Sequence, residues 1–287
     1  MTDPTFCPEQ LKHCHLDRQR RLVYVSIPKN ACTTIKSWFL TNLGVDVEPF
    51  RGRGGEIHDF ARRHHNLAVL DEAEAKRWLD EAFVFAFLRE PIGRVVSGYL
   101  NKFVTARRKG ETINHSAKDA LEAVHRQRGR AVRHDREHAM SWGGHVLKLD
   151  ASIDYERGMT FREFVDYLCG EPDDMALNPH WRPQHRFIDG LGVDFLGRVE
   201  ALVSDMAGLC ERVGLATPDM PAENRTAYGA PDIAASPEAL ADALPQTLAA
   251  MEALPRTSQL LPDDLRARLE ERYREDIALY AQLAPAT

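Results

Sequence analysis

Little in this 287-residue sequence belongs to a secreted, membrane-spanning or nucleic-acid-binding protein. Its five cysteines, Cys7, Cys14, Cys32, Cys169 and Cys210, are scattered and odd in number, so they set out no disulfide framework. No window approaches the roughly 20 apolar residues needed to cross a bilayer. The opening MTDPTFCPEQLKHCHLDRQRR lacks the apolar stretch of a secretory leader, and a cytoplasmic location is expected. A formal net charge of -6 argues against a dedicated nucleic-acid partner. The spacing of Cys7, His13, Cys14 and His15 fits no common zinc pattern; no metal is expected, and residues 1–20 are read as a loose tail. Also missing are the glycines of a GxxxxGK[ST] phosphate loop, at a place where such a loop would otherwise stand.

What is present suits a globular enzyme. Hydrophobic residues make up 44% and charged residues 28% of the chain, enough for a substantial core. RLVYVSI (21–27) reads as a strand that runs into Pro28, and TTIKSWFLTNLG then places Ile35, Trp38, Phe39 and Leu43 at helical spacing before Gly44. AFVFAFL (82–88) is a nearly unbroken apolar run, as in a parallel strand covered on both faces. A helix over 71–81 with Asp71 as N-cap lies between the two. Thr160 and Glu163 form a capping box for a helix closing at Gly170. VDFLGRVEAL gives a third short strand leading into a helix that ends near Gly214, and Pro262 to Leu283 reads as one amphipathic helix. Residues 105–150 crowd arginine and histidine with weak periodicity; they are read as a basic insert or lid with one helix over about 117–126. Strands alternating with helices predict an α/β protein, with a central parallel sheet and right-handed crossovers, in a single domain over 21–287.

Two strand–turn–helix junctions carry the chemistry. In IPKNACTTIKSW the turn after the first strand offers the Lys29 charge, the Thr33 and Thr34 hydroxyls and the unpaired N–H groups of a helix start, a donor set for phosphate or sulfate. Without glycines the loop is expected to wrap less tightly than a P-loop, which disfavours Mg-ATP. FLREPIGRVVSGY repeats the design: Arg89 ends a buried strand, Pro91 fixes the turn and Ser97 follows on the helix. Arg94 is read as solvated or as a support to that site. Two such turns suggest a ligand with two separated phosphate groups.

PKNACTTIK and LREPIGRVVSGYLNKF resemble the two nucleotide-binding motifs of sulfotransferases that use 3′-phosphoadenosine 5′-phosphosulfate (PAPS), in particular carbohydrate sulfotransferases of the chondroitin 4-O and HNK-1 type. NPHWRPQHRFI, VDFLGRVEAL, ENRTAY and YREDIALY are similar to later blocks of that family, in its order, so the resemblance runs from about Arg21 to Tyr280. Glu90 stands where the family usually has Asp, His or Asn, and residues 105–150 have no equivalent. The animal members carry a transmembrane anchor and disulfides; this sequence looks like a soluble bacterial-type member. The resemblance implies a P-loop-NTPase-like three-layer fold. It implies PAPS held by Lys29, Asn30, Ala31, Cys32, Thr33 and Thr34 at the phosphosulfate and by Arg89 and Ser97 at the 3′-phosphate, with Arg225 closing over the nucleotide. No metal is required.

Sulfuryl transfer to a hydroxyl then asks Lys29 to meet charge on the bridging oxygen and a histidine to take the acceptor proton. His58 is the first choice and His180, beside Trp181 as a platform for a sugar, the second; His64 and His65 are expected to face solvent. Trp181, Arg182 and Gln184 either line the acceptor cleft or pack their loop. The acceptor expected is a carbohydrate or glycolipid, with peripheral contact to a membrane surface left open and no nucleic acid. A nucleotide-dependent kinase or other phosphotransferase, and a non-catalytic nucleotide- or glycan-binding protein, are the alternatives.

Overall fold

The computed structural model describes residues 6–142, 145–218 and 235–283. In chain order its main elements are β1 (Cys14–Asp17), β2 (Leu22–Val25), α1 (Cys32–Asn42), α2 (Gly54–His64), α3 (Glu72–Glu81), β3 (Phe83–Leu88), α4 (Pro91–Tyr99), α5 (His115–Gln127), β4 (Asp135–Trp142), β5 (His145–Leu149), α6 (Phe161–Gly170), β6 (Phe195–Arg198), α7 (Leu202–Val213), α8 (Asp263–Arg272) and α9 (Arg274–Ala281). They divide between two compact units. The first takes the described residues up to Pro91, those from Pro183 to 218 and those from Glu275 on; the second takes Ile92–Arg182 and 235–274.

The first unit is a sheet between two helical layers. Its strand order is β1-β2-β3-β6. β2, β3 and β6 are mutually parallel, with Val23 opposite Val84 and Ala86 opposite Leu196. The central strands are parallel as expected, while β1, at the edge, is antiparallel to β2; the turn joining those two has Arg21 at φ 55° and is too short for a crossover. The same observation corrects the loose tail: all four residues of β1 are buried, and residues 8–11 form a short helix before it. Alternation along the strands sorts the core. Val23, Val25, Val84, Ala86 and Leu88 pack with Leu67, Ala75, Leu79 and Phe187 on one face. Leu22, Tyr24, Phe85 and Phe87 pack with Ile35, Trp38 and Phe39 of α1 and Met206 and Leu209 of α7 on the other. Gly197 exists for this packing: a Cβ there would overlap the Phe87 ring.

The second unit is built round aromatic rings. Phe164 meets Trp181 edge-on with centroids 5.1 Å apart, and Tyr99 stacks on Phe103 at 5.3 Å. The capping box expected at Thr160 and Glu163 is present. The basic stretch 105–150 contains α5, starting two residues before its expected position, and a β4–β5 hairpin that its sequence did not announce. Its arginines bind carbonyls: Arg107 donates to the Tyr155 oxygen at 2.8 Å and Arg108 to that of Ala249 at 3.1 Å. Buried Glu122 gathers the Lys118 amine, the His134 ring and the Tyr155 hydroxyl, at 2.7, 2.9 and 3.0 Å. The single C-terminal helix expected over 262–283 is two, α8 and α9, broken at Tyr273. Among the described residues no helix is long and apolar enough to cross a membrane.

Candidate functional site

β2 and β3 are neighbours and parallel, so their carboxyl ends, with the turns that follow, lie on the same edge of the sheet. The first turn does without glycine by putting side-chain-bearing residues in left-handed conformation: Lys29 has φ 72° and Ala31, the N-cap of α1, φ 52°. Such residues are uncommon and cost of order 1–3 kcal/mol each, so the surroundings must hold them. Here the Asn30 amide, buried between them, donates to the Phe87 carbonyl at 2.8 Å and to Gln184 Oε1 at 2.6 Å. Gln184 also pairs with the Arg89 backbone in both directions, accepting from its N–H and donating to its carbonyl, each at 2.9 Å. Arg89 closes the circuit, Nη1 donating to the Lys29 carbonyl at 3.2 Å.

The supports reach further. Asp276 on α9 accepts the backbone N–H groups of Gln184 and His185 at 2.6 and 2.9 Å and the His185 ring at 2.8 Å. Glu200, after β6, accepts the Glu90 N–H at 3.0 Å and the Tyr280 hydroxyl at 2.6 Å. Glu200 lies in VDFLGRVEAL and Asp276 in YREDIALY, but nothing local in those blocks tells which distant backbone groups the carboxylates hold. Gln184, one of the three residues left between cleft and packing, is thereby a structural clamp.

Beside this turn stands a group of titratable side chains. His58, on α2, faces the start of α1: Nδ1 is 2.8 Å from the Lys36 amine, and Nε2 is 3.5 Å from Thr33 Oγ1 and 3.9 Å from Cys32 Sγ. Lys36 is only 6% exposed, and burial brings its pKa down to about 8. A lysine one helical turn after Cys32, on the same face of α1, was the available signal and passed unnoticed. His64 is exposed, as expected, but His65 is half-buried and ends α2, its carbonyl accepting the Leu16 N–H at 2.9 Å.

In the second unit, Ser97 lies buried on α4. Of the two readings of Arg94, the solvated one fails: it is 1% exposed, donating to the carbonyls of Arg182 and Pro179 at 2.8 and 3.0 Å. Trp181 is fully buried among Phe103 and Phe164 and offers no platform to a sugar. Arg182 binds the carbonyls of Leu177 and Met175. His180 has Nδ1 at 2.8 Å from Asn178 Oδ1 and 3.1 Å from Ser116 Oγ. The Asn178 amide is oriented by donating to Asp119 at 3.1 Å, which leaves its oxygen for the His180 ring and N–H. Gly98 allows the close approach of α4, since a Cβ there would stand 3.2 Å from the His180 carbonyl.

The structure thus brings together Lys29, Asn30, Ala31, Cys32, Thr33, Thr34, His58 and Arg89 in the first unit and puts Ser97 and His180 in the second. Arg225, with Asn224 and Thr226, lies outside the described residues. Among the described residues no group of three or more His, Cys, Asp or Glu could hold a metal ion.

No solved structure gives a significant match. The chain is 29% identical over 212 residues to carbohydrate sulfotransferase 14 of Danio rerio, covering 71% of this chain and 49% of that protein. It is 28% identical over 217 residues to carbohydrate sulfotransferase 11 of Mus musculus, covering 72% and 54%. To carbohydrate sulfotransferase 14 of Homo sapiens it is 30% identical over 233 residues, covering 80% and 53%. The chain therefore spans about half the length of the curated relatives it matches. The sulfotransferase family profile matches residues 12–281, nearly the whole sequence, and the chain belongs to the sulfotransferase family.

Proposed function

We propose that this chain moves the sulfuryl group of PAPS to a hydroxyl of a carbohydrate acceptor. One observation carries the reading: two turns rich in anion donors end neighbouring parallel strands and are tied by the Arg89–Lys29 hydrogen bond. The names of the relatives add the carbohydrate. On this reading the sheet and its first turn are P-loop-like in layout, with left-handed Lys29 and Ala31 doing the work of glycine.

In that reaction the chain supplies position and charge. The Lys29 amine and the Thr33 and Thr34 hydroxyls, with the N–H groups that open α1, hold the 5′-phosphosulfate, and Lys29 meets the charge that grows on the bridging oxygen as its bond to sulfur breaks. Arg89, at the end of β3, offers its guanidinium to the 3′-phosphate. The two histidines are prepared for different tasks. A charged Lys36 can only donate, so His58 Nδ1 accepts and its ring proton sits on Nε2. That makes His58 a donor toward sulfuryl oxygens. Asn178 Oδ1 can only accept, so His180 carries its proton on Nδ1, and Nε2 has the lone pair a base needs. Ring protonation thus suits His180 Nε2 to accept a proton and His58 Nε2 to donate one.

Titration calorimetry with adenosine 3′,5′-diphosphate in EDTA tests donor recognition: metal-free binding is expected, and a preference for Mg-ATP would overturn it in favour of a kinase. Transfer of labelled sulfate from PAPS to a panel of glycans separates an enzyme from a binding protein.

A further inference from the structure

Four of the five cysteines have ordinary settings. Cys7 is exposed, Cys14 and Cys210 are buried in the core, and burial raises the thiols of Cys14, Cys169 and Cys210. Cys32 differs. It is partly exposed, opens an 11-residue helix, and its sulfur faces the ring nitrogen that Lys36 forces to carry a proton. An N–H donor, a helix N-terminus and a buried ammonium all stabilise a sulfur anion more than a neutral thiol.

Lys36 supplies the second, independent observation. A buried charge is costly without a partner, yet among the described residues no carboxylate pairs with Lys36; its neighbour is the neutral ring nitrogen of His58. The groups around the sulfur are otherwise cationic or neutral: Lys29 on the turn, Tyr24 on β2, and behind His58 and Lys36 the ring of His15 on β1 and the Arg62 side chain on α2. The only anion this enclosure of described side chains can make for itself is the Cys32 thiolate. Burial alone would raise that thiol; His58, Lys36 and Lys29 outweigh it and bring it down to about 6.

We propose that Cys32 is a modification site, a thiolate held by His58 and Lys36 for attack on soft electrophiles, and that its modification closes the first turn to the sulfuryl donor. The second half rests on the reading of that turn as the donor site. With a hydroperoxide, a sulfur lone pair forms an S–O bond to the terminal OH as the O–O bond breaks; sulfur is oxidised to a sulfenic acid, the peroxide is reduced, and hydroxide or alkoxide leaves, the alkoxide taking a proton from water. With iodoacetamide an S–C bond forms, the C–I bond breaks and iodide leaves. Donor and thiolate also compete for the same cations, so a bound phosphosulfate should push the sulfur back toward the unreactive thiol.

The experiment alkylates the full chain with iodoacetamide across pH and follows each cysteine by mass spectrometry. At about pH 6 Cys32 should react about tenfold faster than exposed Cys7, after allowing for the weaker nucleophilicity of a low-pKa thiolate. His58→Gln and Lys36→Met should each remove that advantage. Equal rates at Cys32 and Cys7 in the unaltered chain would overturn the proposal whether or not the variants fold. Adenosine 3′,5′-diphosphate at a concentration that calorimetry shows to be saturating should slow the reaction. Undiminished labelling with nucleotide bound would refute the closing of the donor turn, whereas failure of the nucleotide to bind at all, with Cys32 still fast, would refute the donor reading and leave the thiolate standing.

Discussion

The Arg89 guanidinium donates to the carbonyl of Lys29, a residue in left-handed conformation at the end of the neighbouring strand. One side chain therefore does two things: it offers charge at its own turn and holds the peptide that aims the lysine of the other.

Arg89→Ala should lose both. Affinity for adenosine 3′,5′-diphosphate is expected to fall by about 2–5 kcal/mol, the usual effect of removing one partner from a desolvated charge pair. Calorimetry in EDTA reads it directly, and unchanged affinity would take Arg89 out of the nucleotide site.

Lys29→Ala should lower turnover by about 10²–10³ at saturating donor, as loss of one donor aimed at developing charge does. If the loss appears in KM alone, Lys29 binds the ground state and transition state equally.

His180→Ala should abolish transfer with donor affinity intact, and Asn178→Ala should lower kcat with donor affinity intact, because the ring would lose the group fixing its tautomer. His58→Ala should keep measurable transfer and weaken it through the donor. The reverse pattern would return the base to His58.

His185 provides a pH test of stability. Burial alone would lower its pKa, but the Asp276 hydrogen bond and charge outweigh this and the net shift is upward from 6.5. A raised folded pKa stabilises fully below the unfolded value and is lost as pH rises through the folded one. The stability gap between the native chain and His185→Gln, measured by urea denaturation, should be larger at about pH 5.5 than at about pH 8.5.

Gly197→Ala should cost about 1–3 kcal/mol by overpacking against Phe87, without touching either turn. A midpoint of denaturation equal to the native one would mean the ring can move aside.

The parallel strands, the helices that cover them and both anion turns were legible in local sequence, since apolar runs, proline positions and capping residues act within a few residues of themselves. β1 was not, because CHLD is only four residues long and two of them are polar yet buried: Cys14 and Leu16 join one core face while His15 tilts against Tyr24 on the other. Arg94 was left between solvent and support because charge suggests solvent, whereas its burial depends on distant carbonyls such as those of Pro179 and Arg182. The roles of Asp276 and Glu200 escaped for the same reason: each satisfies backbone groups far away in the chain, and no spacing rule encodes that. Lys36 was hidden among the apolar residues of α1, where a lysine reads as an amphipathic stem.

The glycine-free bend at Lys29 and Ala31 has a thermodynamic corollary. A flexible loop gives up motion each time a guest arrives, and that loss weakens the complex. Here the awkward backbone is already set when the chain folds, held by Asn30, Gln184 and Arg89, so association should begin from a ready-made mould. Ala31→Gly would relax the mould in the folded chain and let it wander, trading tighter capture of the guest for comfort in its absence.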